Sequence, residues 1–241
     1  MKLLIGPKGK KFLLDDEKTE LHTQYGVVKL DGAKPGDMLL SHTGREFSVM
    51  EPRIMDFSEK LPRASSIVLR KDLGHIIANT GAGAGDVIVD AGTGSATSAM
   101  FLANVVGPKG EVHTYEIREE HAQIAGGNIK KAGFDKIIKI HMKDIREGID
   151  QKDVDIVNLD MPDPWEVVPH ALKALKPGGF FVAYVPYVEQ TQKTVQALSE
   201  KFKSIRTVEV MEREMEVKDI GTRPRTRMQG HTAYLVFARK Y

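Results

Sequence analysis

The sequence predicts an α/β fold, a parallel sheet covered by helices on both faces, preceded by a small β domain. From residue 67 onward, strand-like and helix-like segments alternate, as they do in parallel sheets. Before about residue 60, short β-leaning runs lie between turn-prone pieces such as Gly6-Pro7 and Asp31-Gly32. A buried-looking strand at 87–90 leads through a glycine turn, Gly92-Thr93-Gly94, into a helix.

Composition excludes several classes of protein. The 241 residues are 41% hydrophobic and 28% charged, which is enough to bury a core. No run of about 18 apolar residues and no signal-peptide pattern occurs, so we expect a soluble cytoplasmic protein without a membrane partner. The absence of cysteine excludes disulfides, thiolate zinc sites and iron–sulfur clusters, and the eight histidines show no HExxH-like spacing. Hard metal ions bound by oxygen ligands stay open on this ground.

The predicted domains are a small β domain at 1–60 and a larger domain at 61–241. In the first, β runs are predicted at 11–14, 25–30 and 37–40, and prolines at Pro52 and Pro62 then break the chain. In the second, strands are predicted at 86–90, 111–116, 137–142, 154–160, 179–185, 205–210 and 232–238. Helices are predicted at 71–80, 97–106, 119–132, 167–175 and 189–202. The last two strands have no helix between them, which indicates an antiparallel pair at one sheet edge.

The glycine turn indicates a nucleotide-like ligand, with a purely structural turn as the alternative. Gly92 and Gly94 allow a sharp turn and close approach of a ligand, and the following helix start offers free N–H groups. A dinucleotide fold wants a third small residue three positions later, but Thr97 stands there. This counts against nicotinamide and flavin cofactors.

Carboxylates follow successive predicted strands. Glu116 ends the strand after the glycine turn, where an acid can accept hydrogen bonds from both hydroxyls of a ribose; an exposed helix-capping glutamate without a ligand is the alternative. Asp144 follows the next strand, and Asp160 ends the one after that. With Asp90, we expect these four acids to converge on one crevice and to favour a ligand with a cationic centre. Asp160 is suited to accept an amino N–H from a purine and to offset positive charge on its ring.

Aromatic and basic residues suggest contacts with a nucleic acid. Trp165, the only tryptophan, follows two prolines and could stack on a base or could fill a hydrophobic gap. Near the carboxyl terminus, Arg223, Arg225 and Arg227 lie in a stretch without acidic residues, and the segment 1–11 holds four lysines. Both ends are suited to phosphate contacts, although solvated basic tips are the alternative.

These motifs together resemble the class I S-adenosylmethionine-dependent methyltransferases, with their Rossmann-like seven-stranded sheet. More narrowly, the chain is similar to the tRNA (adenine-N1)-methyltransferases that modify the T-loop. The resemblance spans about residues 5–241, and its most specific part is the arginine-rich segment at 223–232. The motifs that carry it are Asp90-Ala91-Gly92-Thr93-Gly94-Ser95, Glu116, Lys143-Asp144-Ile145, Leu159-Asp160-Met161-Pro162, Lys176-Pro177-Gly178-Gly179 and Arg223-Pro224-Arg225-Thr226-Arg227-Met228 with Gly230-His231-Thr232.

The resemblance implies methyl transfer from S-adenosylmethionine to N1 of the T-loop adenine at position 58, with position 57 left open. It implies that Asp160 is catalytic, that Arg223, Arg225, Arg227 and Trp165 bind substrate, and that the protein is a homotetramer acting on tRNA without a metal. The implied cofactor-binding residues are Gly92, Thr93, Gly94, Ser95, Ala96, Glu116, His121, Asp144, Ile145 and Asp160. The segment 66–69 matches a stretch that lines the pocket entrance.

Two positions depart from the family pattern. Ala96 stands where a third glycine is common, and its methyl group is expected to be tolerated near the helix start while narrowing the pocket. Leu69 stands near the place where some relatives carry a histidine or tyrosine, so other groups must place the target base.

Two other functions remain open from the residues alone. A methyltransferase acting on a protein or a small molecule would share the cofactor residues without needing the arginine segment. A nucleotide-binding regulatory subunit would not need Asp160.

Overall fold

The computed structural model describes all residues from 1 to 241, and its contacts divide them into two units. The first unit comprises Met1–Pro62 with Lys130–Ala132, and the second comprises Arg63–Ile129 with Gly133–Tyr241. No helix is both long enough and apolar enough to span a bilayer.

The first unit is a small β structure. Its strands are β1 (Lys2–Ile5), β2 (Lys11–Leu14), β3 (Glu20–Thr23), β4 (Gly26–Lys29), β5 (Met38–Leu40) and β6 (Glu46–Met50), and helix α1 (Ile54–Lys60) follows. An antiparallel sheet has the order β2-β1-β6-β5, while β3 and β4 form a hairpin. The core centres on Leu4, Val28 and Phe47, which are fully buried. The strands β1, β3 and β6 and the helix α1 were not predicted from the sequence.

The second unit has the predicted alternation of helices and strands. It begins with α2 (Arg70–Thr80), β7 (Val87–Ala91), α3 (Thr97–Val106), β8 (Glu111–Glu116), α4 (Glu119–Ala132) and β9 (Ile138–Met142). It continues with β10 (Val154–Leu159), α5 (Val168–Ala174), β11 (Leu175–Val185), α6 (Val188–Ser199), β12 (Lys203–Glu209), β13 (Met215–Lys218), β14 (Gly221–Pro224) and β15 (Tyr234–Arg239). The last three residues of α4, Lys130–Ala132, are the ones that belong to the first unit.

The central sheet has seven strands in the order β12-β15-β11-β10-β7-β8-β9. The strands β11, β10, β7, β8 and β9 are parallel neighbours, whereas β15 is antiparallel to both β11 and β12. This confirms the α/β class and the antiparallel pairing of the last two sheet strands. The hairpin β13–β14, which lies between them in the chain, was not predicted.

This topology places the carboxyl ends of β10, β7, β8 and β9 side by side. Ligands of open α/β sheets bind at this edge, in the crevice where the strand order reverses, because successive strands are added on opposite sides of a central strand. The reversal lies at β7, since β8 and β9 follow on one side of it and β10 and β11 on the other.

Candidate active site

The glycine turn after β7 and the aspartate after β10 are in direct contact. Leu159 pairs with Ala91 in the last register position of the two strands, and the Asp160 amide donates to the Ala91 carbonyl. A Cβ atom on Gly92 would lie 2.8 Å from the Asp160 carbonyl oxygen, closer than real Cβ contacts allow. Only glycine therefore fits between the two strand ends.

The turn continues into helix α3 through two left-handed residues. Gly94 has a φ of +53°, and a Cβ there would lie 2.7 Å from Ser65 Oγ. Ala96 has a φ of +63° and is fully buried at the N-cap of α3. A left-handed alanine costs about 1 kcal/mol relative to glycine, which is small enough that we expect alanine to be tolerated in place of a third glycine. The methyl group of Ala96 does not line the cavity described next.

A cavity of about 600 Å³ opens above this turn. It lies in the second unit and brings together the strand ends of β7, β10 and β11, the segment before α2 and the segment before β15. Among the residues named from the sequence, it is lined by Gly92, Thr93, Gly94, Ser95, Asp160 and the entrance segment Ser66, Ile67, Val68 and Leu69.

Asp160 is the carboxylate of this cavity. Burial raises its pKa to about 7, and the nearby charge of Asp90 adds to the rise. Asp90 itself does not reach the cavity, because it lies between the strands and accepts hydrogen bonds from Thr114 Oγ1 at 2.7 Å and Asn158 Nδ2 at 2.8 Å. Burial raises the pKa of Asp90 to about 6, against the effect of these two donors.

Glu116 is held by backbone amides at the end of β8. Its Oε2 accepts from the Gly94 amide at 3.1 Å, and its Oε1 accepts from the Ile117 and Arg118 amides at 3.0 and 3.1 Å. Burial alone would raise its pKa, but these donors and the Arg118 side chain bring it below the usual value. Glu116 is 3% exposed, so its carboxylate is a fixed negative charge beside the glycine turn.

His121 adds an unpaired polar atom next to Glu116. Its Nδ1 is buried without a hydrogen-bond partner and lies 3.8 Å from Glu116 Oε2. A buried nitrogen left unpaired is costly unless a ligand or a water satisfies it.

The predicted adenine-reading pair does not line the cavity. Asp144 accepts from Arg146 Nη2 at 2.7 Å and from the Arg146 amide at 2.9 Å, and this arginine lowers its pKa. Ile145 is buried in the core, at 3% exposure. The four acids thus follow neighbouring strands as expected, but only Asp160 reaches the cavity.

Trp165 also lies outside it. This side chain lines a separate hollow of about 430 Å³ against α6, where Lys193 Nζ is 4.8 Å from the centre of its ring.

The predicted arginines lie on and after the hairpin β13–β14, and two of them are in ion pairs. Arg223 Nη2 is 3.0 Å from Glu216 Oε2, and Arg225 Nη1 is 2.7 Å from Glu214 Oε2. Arg227 is exposed in the segment that leads from the hairpin toward the cavity. Of that segment, Gln229, His231 and Thr232 line the cavity wall.

Several cavity residues were not identified from the sequence. The polar ones with aromatic rings are Tyr184 and Tyr187, which lie at and just after the end of β11. Tyr184 is one strand beyond the last strand end that the sequence reasoning considered, so the same strand-end rule would have found it. Both tyrosines line the same cavity as Leu69 and can hydrogen-bond, which Leu69 cannot.

Residues 48–223 match the family described as the tRNA methyltransferase complex GCD14 subunit. The chain is 41% identical to tRNA (adenine(57)-N(1)/adenine(58)-N(1))-methyltransferase TrmI of Methanocaldococcus jannaschii, over 99% of this chain and 94% of that protein. It is 33% identical to tRNA (adenine(58)-N(1))-methyltransferase TrmI of Thermus thermophilus, over 99% and 96%.

Two solved structures are similar along nearly the whole chain. One is described as a SAM-dependent O-methyltransferase from Thermotoga maritima, with a TM-score of 0.91 and 36% identity over 99% of this chain and 92% of that one. The other is described as tRNA (m1A58) methyltransferase TrmI from Aquifex aeolicus, with a TM-score of 0.83 and 26% identity over 100% and 96%.

Proposed function

The chain belongs to the GCD14 family of tRNA methyltransferases, and we propose that it transfers a methyl group from S-adenosylmethionine to N1 of adenine 58 in the tRNA T-loop, with adenine 57 as a further target. The observation that carries the proposal is the contact of Asp160 with the glycine turn, in a chain that is 41% identical to an enzyme of this specificity over 99% of its length.

The residues present suit S-adenosylmethionine. Gly92 and Gly94 line the cavity with bare backbone, and Glu116 is a buried carboxylate fixed beside them. The unpaired Nδ1 of His121 lies next to that carboxylate. When bound, S-adenosylmethionine supplies a methyl group already activated on a sulfonium centre, so the chain needs neither a metal nor a covalent intermediate.

The chain's own residues then bind and orient. The turn at Gly92–Ala96 would surround the methionine part, and Glu116, whose Oε1 now accepts from Arg118 Nε at 3.3 Å, would accept hydrogen bonds from the ribose hydroxyls. Asp144 and Ile145 are the candidates for reading the cofactor's adenine. They follow β9, outside the present cavity wall, so the adenine would extend beyond that wall to meet them.

Asp160 would act on the target base. Its carboxylate would accept a hydrogen bond from the exocyclic amino group and stabilise the positive charge that N1-methylation places on the purine. The ionised form is required for this, and its pKa of about 7 in the free protein leaves much of it ionised at neutral pH. Tyr184, Tyr187 and Gln229 provide hydrogen-bonding groups on the same cavity wall.

The T-loop adenine must leave its stack to reach the cavity, so RNA contacts outside it are required. Arg223, Arg225 and Arg227 lie in the segment leading to the cavity wall, and we assign them to phosphate contacts. Trp165 stays a candidate for stacking on a base elsewhere in the bound RNA. Cytoplasmic location, assembly as a homotetramer and the domain division at 1–60 and 61–241 are further parts of the proposal.

A methyl-transfer assay tests the function. Labelled S-adenosylmethionine is incubated with the protein and with unmodified tRNA transcripts whose position 57 or 58 is guanine in place of adenine. We expect label in the unchanged tRNA and a decrease of label when adenine 58 is replaced, with any label that remains lying at adenine 57. Label in a protein or in a small hydroxyl compound instead of tRNA would contradict the proposal. Methylation of a hydroxyl compound is what the description of the Thermotoga protein as an O-methyltransferase would predict.

A further inference from the structure

His231 on the cavity wall has both ring nitrogens facing hydrogen-bond acceptors. Its Nδ1 lies 2.6 Å from Glu209 Oε1, and its Nε2 lies 2.8 Å from the Pro186 carbonyl oxygen. A carbonyl cannot donate and a carboxylate only accepts, so both nitrogens must carry a hydrogen. This is the geometry of the imidazolium cation, and a free histidine loses that extra proton near neutral pH.

The groups around His231 come from four elements. Glu209 ends β12, the Pro186 carbonyl follows β11, the ring of Tyr234 in β15 lies 4.9 Å away, and Lys71 approaches from α2. The hydrogen bonds to Glu209 and then Pro186 raise the pKa of His231, while the charge of Lys71 opposes this.

Lys71 is itself in an ion pair with Asp72, and this limits how far its charge lowers the pKa of His231. Its Nζ lies 2.7 Å from Asp72 Oδ1 and donates to the Val210 carbonyl at 2.6 Å and to Thr232 Oγ1 at 2.8 Å. Asp72 is fully buried, and the Lys71 side chain is 7% exposed. This ion pair therefore anchors Thr232, the residue next to His231.

From the residue after Pro186, two hydrogen bonds run along the cavity to the loop after β10 that begins with Asp160. The Tyr187 amide donates to Gln190 Oε1 at 3.3 Å, and Gln190 Nε2 donates to the Pro162 carbonyl at 2.7 Å. Pro162 is two residues beyond Asp160, and all of these residues line the cavity. His231 thus holds one end of the wall whose other end adjoins Asp160.

We propose that His231, as the imidazolium, is a positioning residue for methyl transfer: it ties the end of the arginine-bearing segment to Pro186 and keeps this wall in place for the target nucleobase. The inference rests on the proposed function and adds to it a pH dependence. Loss of either proton leaves a nitrogen lone pair facing an oxygen. Because the pKa of His231 is raised, the stabilisation that the imidazolium gives to this wall is complete below the ordinary pKa of 6.5. It is lost as the pH rises through the folded-state pKa.

The protonation state is tested without any activity. In the wild-type protein with isotope-labelled histidine, NMR titration is expected to show His231 with a pKa above 6.5, assigned through its absence in His231→Arg. Glu209→Gln is expected to lower that pKa. A His231 pKa at or below 6.5 would overturn the inference, whether or not the protein methylates tRNA.

The positioning role is tested by kcat and KM for tRNA from about pH 6 to about pH 9. We expect His231→Gln to lower kcat about 10-fold near neutral pH with the affinity for S-adenosylmethionine retained. His231→Arg keeps a cation with several donors, so the ratio of its kcat to that of wild type should rise toward alkaline pH. The control is His22→Gln, an exposed histidine 3.4 Å from Glu20 in the first unit, which should follow the wild-type profile.

Two outcomes of the kinetics would contradict the inference: an unchanged kcat in His231→Gln, or the same alkaline limb in His231→Arg as in wild type. Absence of tRNA methylation by the wild type at every pH would instead overturn the proposed function. The NMR titration would still decide the protonation of His231 in that case.

Discussion

Gly92 and Asp160 are so close that a methyl group on the glycine would lie 2.8 Å from the aspartate's carbonyl oxygen. The contact joins the turn after β7 to the end of β10 and fixes where the Asp160 backbone can be. The proposed cofactor-binding turn and the proposed catalytic carboxylate therefore share one rigid support, and a change in one should alter the other.

Gly92→Ala tests this contact. The added Cβ meets backbone, which cannot rotate away, so we expect a loss of stability of about 1–3 kcal/mol and weaker binding of S-adenosylmethionine. Gly74→Ala is the matched control, because that glycine lies within α2 with open space around its Cβ position, and alanine should stabilise the helix by up to about 1 kcal/mol. Denaturant unfolding and calorimetric titration measure both quantities. Equal behaviour of the two variants would argue against a close contact.

Glu116→Gln should weaken cofactor binding. The amide keeps the size of the side chain but removes the charge and directs an NH₂ group at donors such as the Gly94 amide. We expect the affinity for S-adenosylmethionine to fall about 10-fold to 100-fold, the range for a missing charged hydrogen bond of about 1.5–3 kcal/mol. Glu120→Gln, an exposed change in the first turn of α4, is the control and should bind like wild type. Normal affinity in Glu116→Gln would exclude its ribose role.

The raised pKa of Asp160 predicts how stability depends on pH. A carboxyl group with a folded-state pKa of about 7 and an ordinary value of 3.8 favours folding fully below pH 3.8, and this contribution is lost as the pH rises to about 7. Asp160→Asn cannot ionise, so its free energy of unfolding should exceed that of wild type above pH 7. The difference should shrink on acidification and vanish near pH 3.8. A difference independent of pH would show that Asp160 ionises normally.

The salt dependence of tRNA binding tests the arginine segment. Removing one arginine–phosphate contact should reduce the slope of log affinity against log salt by about 1. We expect the largest effect from Arg227→Gln, because Arg223 and Arg225 are held by Glu216 and Glu214 and must leave these carboxylates to reach a phosphate.

Lys109→Gln is the control for that series. This lysine precedes β8, at the amino end of the parallel strands and so at the sheet edge opposite the cavity. It should leave the slope unchanged. The same decrease of slope in Lys109→Gln and Arg227→Gln would indicate unspecific attraction.

Much of the sheet could be predicted because its signals are local. The bounds of α3, α4 and β8 are those predicted, since each is a strongly apolar or amphipathic run that ends at turn residues. The hairpin β13–β14 was missed because it buries no apolar face: Val217 is 77% exposed. Its strands are held together by cross-strand hydrogen bonds and the Arg223–Glu216 ion pair, which hydropathy does not reveal.

Within the site, strand-end carboxylates were predictable but their orientations were not. Asp90 was expected in the crevice, yet β7 extends one residue further than predicted and leaves its side chain between Thr114 and Asn158. His231 depends on a non-local pairing, because the antiparallel register of Val185 with Tyr234 brings its segment beside Pro186. No local pattern encodes that register.

The most direct test of the account is methyl transfer by Asp160 variants under single-turnover conditions, with cofactor binding measured in parallel. We predict that Asp160→Ala and Asp160→Asn lower the rate of tRNA methylation at least ~10²-fold, the cost of losing one preorganised electrostatic group, while S-adenosylmethionine still binds. Asp163→Asn, three residues further along the same loop, should keep the wild-type rate. A wild-type rate in either Asp160 variant would contradict the central claim that this carboxylate stabilises the methylated base.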